Sequence, residues 1–183
     1  MISCFNGTVK LTSPIGERIV MGKSDFHQGI DLVGVDSNKV FTMFDGLART
    51  LVEPNGFGNY VRLDMENGLS MYFAHLSKFS IIDNTYVKAG TQIGVMGATG
   101  YVTGAHTHIE LRVTATRTYL DLHDLFKIPK KIGTYESSVK WSYEEAKAII
   151  QEKCGLEPHT MAYLDKWNWN KDLFIKLAMK MII

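Results

Sequence analysis

The chain has 183 residues, of which 45% are hydrophobic and 21% are charged. This composition is typical of a soluble globular protein and excludes both a disordered chain and one built from membrane-spanning segments. Lys and Arg number 20 against 19 Asp and Glu, for a net charge of +1. With no long run of one sign, the sequence indicates neither a nucleic-acid partner nor insertion into an anionic membrane.

The start of the chain lacks the basic stretch and the apolar segment of a secretory signal. We therefore expect synthesis in the cytoplasm without a signal peptide. Two cysteines, Cys4 and Cys154, lie far apart and near no histidine motif. Because zinc thiolate sites have short, regular spacings, we expect these thiols to be reduced and unreactive.

From Phe5 to about Val113 the sequence alternates short apolar runs with glycine-rich turns, which is the pattern of an all-β domain. Asp45-Gly46 and Asn67-Gly68 are hairpin signals between such runs. No helical stripe precedes residue 115. The predicted strands span residues 29–35, 39–44, 47–53, 59–65, 69–75, 92–96 and 106–113.

The pattern changes after residue 128. Residues 129–140 are polar and contain Pro129 and Gly133, which indicates a linker. Beyond it, apolar residues recur at helical spacing. The sequence thus predicts a β domain at 1–128, a linker at 129–140 and a small helical module at 141–183. Because so few helical residues fold only marginally alone, we expect the module to pack on the β domain, on a copy of itself in a homo-oligomer, or on a ligand.

His27 and Asp31 are four residues apart, with Gly29 between them. In a straight strand their side chains would stand about 13 Å apart, too far to bind one ion. A bend at Gly29 would close this gap. From spacing alone, a histidine in a turn and an aspartate with another role remains the simpler interpretation.

His106 and His108 follow the glycine-rich segment 97–104. In a strand, both imidazoles would lie on one face about 6.6 Å apart, so that one could bind a metal while the other faces the substrate. His75 ends an apolar and aromatic run, where a lone histidine is more often a packed core residue. A zinc hydrolase needs about three protein ligands, an open position for water and a group that handles protons.

A series of short motifs runs from about residue 26 to residue 112, roughly half of the chain. They are His27-x-x-x-Asp31, Asp45-Gly46, Gly58-Asn59-Tyr60-Val61, Tyr72-x-x-His75-Leu76-Ser77, Val87-Lys88-x-Gly90-x-x-Ile93-Gly94, Thr99-Gly100 and His106-x-His108-x-Glu110. In their order and spacing these motifs resemble the lysostaphin and LytM type of peptidoglycan zinc metalloendopeptidases.

The resemblance implies that His27, Asp31 and His108 bind Zn²⁺, and that His75 and His106 activate water or stabilise the oxyanion. It implies a mainly β fold, a small antiparallel β barrel or sandwich of the duplicated hybrid motif type, with the helical module as an addition. The implied substrate is the peptide part of bacterial peptidoglycan. Glycyl-glycine bridges and D-alanyl cross-links both remain open as the bond that is cut.

A wall hydrolase made without a signal peptide needs another route to its substrate. Phage endolysins take such a route through a holin or as part of a virion, so we expect a phage or prophage endolysin. The terminal module would then bind the wall through aromatic side chains, although a miniature core or a dimer contact explains them equally well. These aromatic residues are Trp141, Tyr143, Tyr163, Trp167 and Trp169.

Two other classes of protein are alternatives. One is a wall-binding or structural phage component that retains a zinc site without turnover; inactive relatives of such enzymes typically lose zinc ligands, which this chain keeps. The other is a carrier domain, which would explain residues 87–94 but not the four histidines. His123 and His159 match no motif, and we expect both at the surface.

Overall fold

The computed structural model describes residues 3–20, 22–126 and 128–137. These residues fall within one structural unit, residues 1–140. The predicted helical module at 141–183, with Cys154 and His159, lies outside the described residues, as does the end of the predicted linker. No helix in the described part of the chain is long and apolar enough to cross a membrane.

The described residues form twelve strands and one short helix. The helix, α1, spans Leu122–Phe126. The strands are β1 Gly7–Ser13, β2 Gly16–Val20, β3 Lys23–His27, β4 Ile30–Gly34, β5 Lys39–Phe41, β6 Gly46–Glu53, β7 Gly58–Asp64, β8 Leu69–Phe79, β9 Thr85–Val87, β10 Gln92–Met96, β11 Thr107–Val113 and β12 Gly133–Ser137.

Ten of these strands form one sheet. Eight follow the order β12-β1-β4-β11-β8-β7-β6-β9, and β10 pairs with both β8 and β5. Strands β2 and β3 form a separate two-stranded ribbon. All the pairings are antiparallel. The prediction of a mainly antiparallel β protein is therefore confirmed.

Each of the seven predicted strands overlaps an observed one, but five short strands were not predicted: β1, β2, β3, β9 and β12. Strand β12 lies inside the segment predicted as a linker, and pairs with β1 through contacts such as Val9 opposite Tyr135. Residues 133–137 therefore belong to the sheet. The partner strand is more than 120 residues away in sequence, so no local pattern predicts this pairing.

The side chains of β11 point alternately to the two faces of the sheet. Ile109 and Leu111 are buried in the hydrophobic core. Phe73 of β8, also fully buried, pairs with Ile109 on one side and Val61 on the other. Because side chains alternate along a strand, the residues between these point to the opposite face. We call that face, on β6, β7, β8 and β11, the open face.

Replacement of Phe73 by Ala should destabilise the protein by about 3–5 kcal/mol, because it empties a fully buried position in the core. Denaturant unfolding measures the change in the free energy of unfolding. The matched control is Val52→Ala, at a position 64% exposed, for which we expect a change within about 0.5 kcal/mol. Equal, small effects of the two substitutions would contradict this placement of the core.

Candidate metal centre

Three predicted metal ligands meet at one point in the structure. Asp31 and His108 lie opposite each other on the paired strands β4 and β11, and His27 ends β3. Asp31 Oδ1 lies 2.8 Å from His108 Nδ1 and 3.1 Å from His27 Nε2. The two imidazole nitrogens are 2.9 Å apart. All three side chains are buried.

Gly29 allows this convergence. It does so by letting the backbone pass close to β11, in addition to any bend within one strand. The chain passes here from the β2–β3 ribbon into the main sheet, so that His27 and Asp31 belong to different strands. A Cβ atom on Gly29 would lie 2.2 Å from the carbonyl oxygen of Ile109 and 2.9 Å from Cε1 of His108. Only glycine lets the backbone approach β11 so closely.

The tautomer of His27 is fixed by the turn between β1 and β2. Its Nδ1 lies 2.8 Å from the carbonyl oxygen of Pro14 and 3.1 Å from Oγ of Ser13. Because a carbonyl oxygen only accepts hydrogen bonds, Nδ1 carries the proton and donates it. Nε2 of His27 therefore presents a lone pair to Asp31 and His108.

The tautomer of His108 is fixed by a buried carboxylate. Nε2 of His108 lies 2.9 Å from Oε1 of Glu110. Burial raises the pKa of Glu110, but the hydrogen bond from His108 and the charge of Arg112 outweigh it and hold that pKa below its ordinary value. The ionised carboxylate accepts a hydrogen bond from Nε2–H, so Nδ1 of His108 presents a lone pair to the other two ligand atoms.

Asp31 is held as a carboxylate. Burial raises its pKa, but the hydrogen bonds and positive charge that His108 and His27 supply when they are protonated outweigh burial and hold the pKa of this carboxyl well below its usual range. Its second oxygen, Oδ2, accepts a hydrogen bond of 3.3 Å from Nη1 of Arg18, on β2. Arg18 thus leaves Oδ1 to face the two histidines.

The three residues fit a zinc ion. With both imidazoles neutral, three lone pairs point at one another over 2.8–3.1 Å, so a positive charge between them is required. Burial lowers the pKa of His108, yet hydrogen bonds to Asp31 and Glu110 give a net increase, which is the same preference for positive charge. Two imidazoles and one carboxylate, with a position left for water, are a common ligand set of catalytic zinc.

His75 lies beside this set on a strained backbone. Its φ angle is 62°, in the left-handed region that is costly for any residue other than glycine. Strand β8 changes partner here: Ala74 pairs with β11, whereas Leu76 pairs with β10. The amide of His75 donates to the carbonyl oxygen of Phe57 at 2.9 Å, which helps to hold the strained conformation.

His75 and His106 place two more imidazoles next to the three ligands. Their ring centroids are 4.8 Å apart, and Nε2 of His106 lies 3.5 Å from Oδ1 of Asp31. Each ring donates Nδ1–H to a carbonyl oxygen at 2.9 Å, His75 to Thr99 and His106 to Gly104. Both therefore keep Nε2 free to accept a proton.

Burial is the main cause that lowers the pKa of His75 to about 4. The charges of His106 and His108 lower it further, while the hydrogen bond to Thr99 opposes them. The structure thus brings together all five predicted site residues, with His75 neutral near pH 7.

The expectation that His123 lies at the surface was wrong. His123 is 3% exposed; its Nδ1 donates to the carbonyl oxygen of Ile128 at 3.0 Å, and its Nε2 accepts from the amide of Ile15 at 3.2 Å. Ile15 follows Pro14, whose carbonyl holds His27. His123 thus anchors the turn behind a candidate ligand. Its apolar neighbours in α1 were the only sequence signal for this burial.

Sequence reasoning also assigned no role to Arg18 and quoted Glu110 only as part of a motif. Arg18, on β2, reaches Asp31 on β4, and no local pattern predicts this contact. Glu110 lies two residues from His108 on β11, so the alternation of side chains along a strand already places the two on one face. Cys4 is buried and free, and burial raises the pKa of its thiol, in keeping with the predicted lack of reactivity.

Comparison with known proteins gives the chain a family. Residues 25–121 match Peptidase family M23. The DD-carboxypeptidase/endopeptidase Mpg of Neisseria meningitidis is 34% identical over 106 residues, which are 57% of this chain and 24% of that protein. The peptidoglycan DD-endopeptidase ShyA of Vibrio cholerae is 36% identical over 87 residues, 48% of this chain and 20% of that protein. The chain thus spans a quarter or less of the length of these curated relatives.

Solved structures show the same likeness. The catalytic domain of lysostaphin from Staphylococcus simulans superposes with a TM-score of 0.53 at 28% identity, over 65% of this chain and 92% of that one. The catalytic domain of the prophage-encoded M23 protein EnpA from Enterococcus faecalis gives a TM-score of 0.55 at 27% identity, over 62% and 88%. The chain belongs to peptidase family M23 and is homologous to the lysostaphin and LytM type of peptidoglycan endopeptidases.

Proposed function

We propose that this protein is a zinc-dependent endopeptidase that hydrolyses peptide bonds in bacterial peptidoglycan. The observation that carries the proposal is the convergence of three ligand atoms from His27, Asp31 and His108, with the imidazoles of His75 and His106 alongside. Membership of family M23 supports it, as do the activities in the names of Mpg and ShyA.

In this proposal His27, Asp31 and His108 hold the metal ion. Zinc bound there supplies Lewis-acid chemistry, which polarises a carbonyl group and makes water more acidic. The hydrogen bonds that His27 donates to Pro14 and His108 donates to Glu110 keep both imidazoles in the tautomer that presents a lone pair to the ion. The fold therefore prepares the ligands before a metal ion arrives.

His75 and His106 handle the protons. With its lowered pKa, His75 is neutral near pH 7, and Nε2 can take a proton from the attacking water. The same atom can then give that proton to the leaving amine. Nε2 of His106, next to Asp31, lies where a protonated imidazole would donate a hydrogen bond to the oxyanion. Because Nε2 is available on both rings, either imidazole could perform either task, and we assign the two tasks to the pair jointly.

The biological setting is a further part of the proposal. We propose an endolysin of a phage or prophage that reaches the wall after release by a holin or within a virion. The likeness to a prophage-encoded M23 protein supports this setting. The catalytic β domain would extend as far as β12. Residues 141–183 would form a separate wall-binding or dimerisation module.

Purified bacterial walls should release new amino groups, without new reducing ends, when treated with the zinc-loaded protein. A chelator should abolish the release and added zinc should restore it. His108→Ala should lower the rate at least about 100-fold, because loss of an outer partner of a ligand alone typically costs 10–100-fold. Glu66→Ala, at an exposed position, is the control and should keep full activity.

Walls of several chemistries should be tested, since the bond is not specified. A folded, zinc-loaded protein that releases no amino groups from any of them would contradict the proposal. It would favour a binding or structural component that keeps a metal site.

Glu110→Gln should weaken zinc binding about 10- to 100-fold, because a neutral amide holds the Nε2–H of His108 less strongly than a carboxylate does. Competition with a chromogenic chelator measures the affinity. Glu66→Gln removes the same charge from an exposed position and should bind zinc as tightly as the unmodified protein. Unchanged affinity in Glu110→Gln would show that Glu110 does not support the ligand His108.

The metal-free protein should lose stability through His75 as the pH falls from about 6.5 to about 4. In this window the unfolded chain protonates its histidine whereas the folded protein, with its lowered pKa, does not. In His75→Asn, which suits the left-handed backbone, this part of the pH dependence should be missing. Unfolding free energies measured in chelator from pH 4 to pH 8 test this; parallel pH curves for the two proteins would refute it.

A further inference from the structure

A row of paired side chains crosses the open face away from the metal centre. Glu110 of β11 lies opposite Tyr72 of β8, Tyr72 lies opposite Arg62 of β7, and Arg62 lies opposite Arg49 of β6. Directly paired residues of antiparallel strands project to the same side of a sheet. The four side chains therefore form one continuous strip, which begins at the carboxylate that holds His108.

Aromatic rings line this strip and fix one guanidinium group. Arg112, two residues beyond Glu110, lies over the ring of Tyr72 at 4.9 Å and over that of Phe57 at 5.8 Å. Tyr60 stacks on Tyr72 with ring centroids 6.2 Å apart. Stacking holds the guanidinium plane in one orientation, which favours recognition of a planar anion.

Two carboxylates on this face, Asp64 and Glu110, already hold neighbouring donors. Asp64 accepts hydrogen bonds from Nε of Arg49 at 3.1 Å, Nη2 of Arg62 at 2.9 Å and Oγ of Ser70 at 2.7 Å. Glu110 accepts from both His108 and Arg112. Three of the roughly four lone-pair positions of Asp64 are thus occupied, and each oxygen of Glu110 already has a partner.

The guanidinium groups, in contrast, keep unused donors. Among the described residues, no hydrogen bond is made by either Nη atom of Arg49 or by Nη1 of Arg62 and of Arg112. Their side chains are 43%, 32% and 20% exposed, so a ligand can reach them. Arginine donors of this kind bind carboxylates, often through two parallel hydrogen bonds.

The pairing of Arg49 with Arg62 is poorly explained by stability. Like charges directly opposite each other destabilise neighbouring strands, and Asp64 neutralises only one of the two. An anionic ligand would neutralise the other. The arrangement therefore favours a binding role over a structural one.

We propose that Arg49, Arg62 and Arg112, with Tyr60 and Tyr72, form a subsite for a carboxylate of the peptide substrate. This inference rests on the proposed function, because it places the scissile bond at the metal centre. The ligand is an acidic peptide, such as a stem peptide with free carboxylates, in preference to an uncharged glycine chain.

The position of the subsite limits where the carboxylate lies in the substrate. Neighbouring strands are about 4.8 Å apart, so Arg62, two strands from β11, lies roughly 10 Å across the sheet from the strand of His108. An extended peptide advances about 3.3 Å per residue. The carboxylate should therefore lie about two to four residues from the scissile bond.

The test uses two cross-linked stem peptides that differ only in one group, a carboxylate in the first and a carboxamide in the second. Equilibrium dissociation constants and steady-state kinetics are measured with the zinc-loaded protein. The carboxamide peptide should bind about tenfold or more weakly and raise KM by a similar factor, while kcat stays nearly constant.

The variant Arg62→Gln should bind the two peptides equally, and Arg62→Lys should recover only part of the preference because lysine lacks the planar fork. Lys10→Gln, which removes one positive charge from an exposed position on β1, is the control and should keep the full preference. If Arg62→Gln does not fold, Arg49→Gln at the more exposed position replaces it.

The outcomes separate this inference from the proposed function. Hydrolysis of both peptides with equal KM, unchanged in Arg62→Gln, would overturn the subsite and leave the endopeptidase intact. Binding that depends on the carboxylate and on Arg62, without hydrolysis, would support the subsite and count against the endopeptidase. Neither binding nor hydrolysis would overturn both.

Discussion

The repulsion between three converging lone pairs is the constraint on which the metal centre depends. The imidazoles cannot avoid this repulsion by changing tautomer. The carbonyl of Pro14 holds the proton of His27 on Nδ1, and the carboxylate of Glu110 holds the proton of His108 on Nε2. Asp31 is ionised at the meeting point. A positive charge at this point, either a bound proton or a metal ion, relieves the arrangement, so these hydrogen bonds favour the binding of a metal ion.

The same strands provide both the core and the site. On β11, Ile109 is buried in the core, while His108 and Glu110 face the metal centre and the open face. On β8, the change of partner at His75 turns its imidazole towards His106. Backbone strain at His75 is therefore balanced by the packing of the strands on either side of it. A rigid sheet in this way fixes groups that must act together.

The pattern of short apolar runs and glycine-rich turns predicted the mainly β fold class. The five residues that meet at the site were predicted by the resemblance to the lysostaphin and LytM type, since spacing alone left His27 and Asp31 with separate roles. The sequence did not predict β12, whose partner β1 is remote in sequence. It placed His123 at the surface, because the acceptor and donor that bury it, Ile128 and Ile15, come from separate turns. The row from Glu110 to Arg49 also depends on register across four strands, which local patterns do not contain.

Crystals of the zinc-loaded protein, measured on both sides of the zinc absorption edge, test the central claim most directly. The account predicts one strong anomalous peak within bonding distance, about 2.0–2.2 Å, of His27 Nε2, Asp31 Oδ1 and His108 Nδ1. A peak bound elsewhere, or the absence of a peak at these three atoms under saturating zinc, would contradict it.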